Sequence, residues 1–109
     1  MNQDSKPRIL HLSLKKQPFE VMVTGEKFIE VRKPSKWIKS RLENKEYDIV
    51  KFVNGYGKRR PFFTVTYLGF TIWAEEKNLK ITFSNGLQIN CTKGDYIILL
   101  GCIQTGNLK

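Results

Sequence analysis

Histidine occurs once in this chain and cysteine twice, so the residues that most often bind metals or form disulfides are scarce. Cys91 and Cys102 stand singly, without CxxC spacing or a neighbouring histidine, which excludes a zinc site or a disulfide framework of the usual kind. No apolar run approaches the length needed to span a membrane. The N-terminal MNQDSKPR lacks the apolar core of a secretory signal, so the expected compartment is the cytoplasm, with no membrane partner. Acidic residues are also scarce, 10 against 19 Lys and Arg, for a formal charge of +9.

That charge is concentrated. Residues 32 to 60 hold ten Lys or Arg (32, 33, 36, 39, 41, 45, 51, 58, 59, 60) and three acids (43, 46, 48), a net of +7. The segments on either side contribute +1 each. Charge segregated in this way predicts a face for a polyanion, rather than a surface that is merely solvated. Apolar residues make up 40% of the 109 residues, with seven Phe, four Tyr and two Trp, enough to fill one core. A single domain over residues 1–109 is expected.

Alternation at 9–14 puts Leu10, Leu12 and Leu14 on one face and Ile9, His11 and Ser13 on the other, which predicts a strand. Pro18 suits the first turn of a short helix, Phe19, Met22 and Val23 form its apolar stripe, and Gly25 stops it. A second strand follows, with Ile29 and Val31 on one side and Phe28, Glu30 and Arg32 on the other. Pro34 ends it, and Trp37, Ile38, Arg41 and Leu42 predict a basic helix. Further strands are expected at 49–54 and 62–73.

In KITFSNGLQIN, a three-residue loop Ser84–Asn85–Gly86 pairs Phe83 with Leu87 and Ile81 with Ile89, keeping one face apolar. A two-residue turn would set Phe83 against Gln88, so the longer loop is expected. Lys93–Gly94–Asp95 turns the chain into YIILLGCI, expected to be buried on both sides. The order predicts an α+β chain with two short helices near the start and a sheet curled into a small barrel.

Charged residues in the second strand need a reason. Glu30 and Arg32, two residues apart on one face, either pair as scaffold or line a polar pocket together. His11 reads as a half-buried, hydrogen-bonded residue and Lys27 alone as a solvated strand-end lysine. Trp37 and Trp73 read as core or rim. The loop with Tyr56, Lys58, Arg59, Arg60, Phe62 and Phe63 mixes cations with rings, as single-stranded RNA binding does, and one of the two phenylalanines is expected to enter the core.

The pattern Gly25-x-Lys27-x-x-Glu30-x-Arg32, after a strand and a helix, resembles the signature of the ASCH domain family, which has the PUA-like β-barrel fold. The resemblance covers about residues 8–103, including the late Gly-Asp turn and final apolar strand. It implies a cleft lined by Lys27, Glu30 and Arg32 that accepts RNA or a nucleoside-like ligand, without a cofactor or metal. Some small relatives of that family are amidohydrolases acting on N4-acetylcytidine, and others are proposed ribonucleases. A hydrolase would use Lys27 and Glu30, with Glu75 or Glu76 as the further acid. In the amidohydrolases a threonine stands where this chain has Glu30, and Thr24 is not at the equivalent position, so binding is expected ahead of hydrolysis.

Overall fold

The computed structural model describes residues 6–55 and 60–107, with nine elements. These are β1 (Ile9–Leu14), α1 (Lys16–Val23), β2 (Ile29–Arg32), α2 (Lys36–Leu42), β3 (Ile49–Asn54), β4 (Phe62–Ile72), β5 (Leu79–Thr82), β6 (Gln88–Cys91) and β7 (Tyr96–Asn107). Five strands form one curled sheet in the order β1-β3-β4-β7-β2, a half-barrel, while β5 and β6 form a separate hairpin. The β1–β3 pair is parallel and the rest of the large sheet is antiparallel. Its curl follows the long β4–β7 ladder, whose register shifts three times. Gly69, at φ +110, lies at one of these shifts, where a side chain would strain the backbone.

Leu10, Leu12, Leu14, Val50, Phe52, Phe63, Val65, Ile98 and Leu100 fill the concave side. Phe19 and Met22 of α1 and Ile38 and Leu42 of α2 complete this core. Gly25, at φ +83, ends the turn after α1, its N–H donating to the Met22 carbonyl at 3.0 Å. Ser35 caps α2, its hydroxyl accepting from the Ile38 N–H at 3.0 Å. Phe63 is the phenylalanine that enters the core, against Phe19 with centroids 5.2 Å apart. Phe62 stays half-buried under the Lys51 ammonium.

The predicted hairpin register is present: Ile81 pairs with Ile89, the Phe83 N–H donates to the Leu87 carbonyl, and Gly86 has φ +87. Three expectations need correction. Helix α1 buries Val21 as well as Phe19 and Met22, and Val23 is only half-buried. Val21 shares a helix face with Gln17, and the hairpin tip docks there through a reciprocal pair of Gln17–Asn85 hydrogen bonds, 3.1 and 2.9 Å. The final apolar run is buried on both sides only at its start. Past Ile98, Leu99, Cys102 and Ile103 are exposed, while Leu100 still faces the core. Phe28 does not join the inward face of β2 but lies exposed, since the strand begins at Ile29. Among the described residues, no helix is long and apolar enough to cross a membrane.

Candidate functional site

Strand β2 is an edge of the sheet, and its inward face is where the barrel's apolar lining stops. Register sets Glu30 opposite Ile98 and Arg32 opposite Tyr96, both buried, so the two charged side chains take positions an apolar residue would hold on another strand. A carboxylate there needs partners to offset its desolvation. Glu30 has two: its Oε1 accepts from Lys27 Nζ at 2.6 Å and its Oε2 from Arg32 Nε at 2.8 Å.

Lys27 is not the solvated strand-end lysine its position suggests. Its side chain is 1% exposed, and Nζ also donates to the Ile29 carbonyl at 2.5 Å. Residues 26–28 are irregular, which frees Lys27 to turn inward and Phe28 outward. Arg32, 26% exposed, reaches across to the other edge of the sheet, donating from Nη2 to the Ser13 carbonyl at 2.9 Å. No backbone ladder joins β1 to β2. The guanidinium spans that gap.

Beside this seam lies a cleft of ≈ 660 Å³, within the usual range for small-molecule sites, with Ser13, Lys15, Glu30, Arg32, Lys33 and Gly55 among its lining residues. Arg32 and Ser13 also border a second depression of ≈ 330 Å³ with His11 and Trp37. Lys27 does not line the cleft. Its stem faces a third, mainly apolar pocket of ≈ 270 Å³ beside Thr24, whose hydroxyl donates to the Val21 carbonyl at 2.6 Å.

Lys33 is tethered to buried Asp95 at 2.8 Å. Burial pushes that carboxyl up, but the Lys33 ammonium and the Thr92 N–H and hydroxyl outweigh it, holding the group below the ordinary carboxylate range. Among the described residues, Lys15 pairs with no acid. The cleft lining carries three cations (Lys15, Arg32, Lys33) and one acid (Glu30), a net of +2.

Of the basic loop, Tyr56, Lys58 and Arg59 lie outside the described residues. Arg60 is exposed, bonds the Asn54 carbonyl through Nε at 3.0 Å, and lies against Gly55 at the cleft. His11 is exposed rather than half-buried, on the face of edge strand β1 opposite its core-facing leucines. Trp37 is a rim residue with the Arg41 guanidinium 5.2 Å above its ring. Glu75 and Glu76 are exposed and do not line the cleft, Glu76 pairing with Lys93. Among the described residues no three His, Cys, Asp or Glu gather as a metal site.

Lys15 and Lys33 belong to the site, and the sequence marks them only as the residues next to the ends of β1 and β2. The Ser13 carbonyl has no sequence signal, since any residue supplies one. Compared with known proteins, the chain matches no family model, no curated protein and no solved structure.

Proposed function

We propose that this chain is an ASCH-type, PUA-like module that binds RNA or a nucleoside-like ligand in the cleft between β1 and β2 and performs no chemistry there. One observation carries the reading: Arg32, half-committed to Glu30 and Ser13, shares a positively charged cleft with Lys15 and Lys33. A guanidinium has five N–H donors, and these two bonds use two of them, leaving directed donors for an anionic ligand. The half-barrel is compatible with a PUA-like sheet, and the excess of cations over residues 32–60 supplies the long-range attraction for a phosphate backbone.

The hydrolase reading is the weaker one. It needs the Lys27 ammonium at the ligand, but that group is occupied by Glu30 and Ile29 and borders a different pocket.

Fluorescence anisotropy with single-stranded RNA tests the proposal. Neutralising about three phosphates gives a log–log salt slope near about −2. Alanine at Lys58, Arg59 and Arg60 together flattens that slope and weakens all sequences alike. Salt-independent affinity, or no binding at low salt, would overturn the nucleic-acid reading.

A further inference from the structure

Arg32 borders two depressions, and they differ in chemistry. The cleft on one side is cationic, with Lys15 and Lys33. The depression on the other has an indole and an imidazole, Trp37 and His11, and shares only Ser13 and Arg32 with the cleft. Trp37 is 48% exposed; among the described residues it and Phe28 are the exposed aromatic side chains, and of the two Trp37 is the one beside Arg32. It is not loose: the Arg41 guanidinium lies over its ring at 5.2 Å, and helix α2 is anchored by buried Ile38 and Leu42. The result is a positioned, accessible aromatic surface beside a guanidinium and a histidine.

We infer that Trp37, with His11, forms a base-stacking subsite next to the phosphate-binding cleft, so that the unit recognised is a nucleoside phosphate spanning Arg32. The inference rests on the cleft reading above and adds the ligand's two parts. Its phosphate sits with Lys15, Arg32 and Lys33, and its base lies against the Trp37 ring, where His11 is available to hydrogen-bond a base edge. Stacking suits this place because every base has a π-face, and an indole already polarised by Arg41 holds one without reading its identity. Lys15 and Lys33 are charges for a phosphate but offer no surface for a base. The indole offers the reverse. A ligand with only one of the two features leaves half the surface unused.

The same unit occurs as a free mononucleotide or within an RNA chain, and affinity separates the sources. An RNA site binds a trinucleotide more tightly than a mononucleotide, while a mononucleotide site binds both alike. Either result supports the subsite if Trp37 responds.

The test uses the whole chain carrying fluorotryptophan, with the two resonances assigned through Trp73→Phe. Titration with a nucleoside monophosphate is expected to shift the Trp37 signal and leave Trp73 unmoved. Ribose phosphate, which has no base, should bind more weakly and leave Trp37 unmoved. Trp37→Ala should weaken the mononucleotide at least about fivefold, the lower end of base–aromatic stacking, without changing ribose phosphate affinity. Trp37→Phe, which keeps a ring, should recover most of the loss. If ribose phosphate binds as well as the mononucleotide and Trp37→Ala changes neither, the base subsite is overturned while the anionic cleft survives. If neither compound nor the trinucleotide binds, both readings fall.

Discussion

Arg32 and Ser13 connect the two edges of the half-barrel: the guanidinium donates to the Ser13 carbonyl at 2.9 Å across a gap that no ladder closes. The same guanidinium holds Glu30 at 2.8 Å, and Glu30 holds Lys27 at 2.6 Å. Exposure falls along that chain from 26% at Arg32 to 9% at Glu30 and 1% at Lys27. Its exposed end borders the cleft, while its buried end is enclosed in the fold.

Replacing Arg32 by Met is therefore expected to be mild for stability. Glu30 keeps Lys27, so no buried charge is stranded, and the thioether retains much of the stem's packing. The loss should be about 1.5–3 kcal/mol, the range for a hydrogen bond to a charged group. Ligand binding should disappear. A urea melt with the midpoint collapsed would identify Arg32 as scaffold and remove it from the site.

Glu30→Ala should cost far more, roughly 3–5 kcal/mol, because it leaves the Lys27 ammonium buried with only the Ile29 carbonyl. In a chain with about 5–15 kcal/mol of total stability this approaches unfolding. The double change Lys27→Met with Glu30→Leu should recover most of the loss, since it removes both charges. Equal melts for the single and double variants would show that the pair is not coupled.

Asp95 predicts acid sensitivity. Its folded carboxyl is held below the ordinary range, so its contribution is present above the unfolded value of about 4 and is lost as pH falls through the folded one. Asp95→Asn should lower stability at neutral pH and flatten its decline below about pH 4. Parallel pH profiles for the two proteins would refute the assignment.

Deacylation of N4-acetylcytidine should be weak or absent, because the Lys27 ammonium that a hydrolase would use is committed to Glu30 within the fold. Steady-state assays decide this. Robust turnover abolished by Lys27→Ala would make the enzyme reading primary.

Much of the framework was legible from periodicity and turn chemistry alone. Leu10, Leu12 and Leu14 face the core as their alternation requires, and the β5–β6 hairpin takes the register that keeps Ile81 opposite Ile89. Both features depend on local rules, a two-residue side-chain period and the left-handed backbone that Gly86 allows. The charges at Lys27, Glu30 and Arg32 were also visible in the sequence, and the shared face of Glu30 and Arg32 followed from their spacing. Their division of labour did not. Lys27 is buried because irregular backbone before β2 turns it toward Glu30, while Phe28 is left outside. His11 and Lys15 reach the neighbourhood of Arg32 only because the sheet curls until its edge strands, 15 or more residues apart in sequence, stand side by side. Local propensity acts over a few residues, and the proximity of β1 and β2 comes from the bulged β4–β7 ladder and the core beneath it. The sequence by itself determined which residues carry charge and that Glu30 and Arg32 share a strand face; tertiary packing decided which charges are buried and which meet at the cleft.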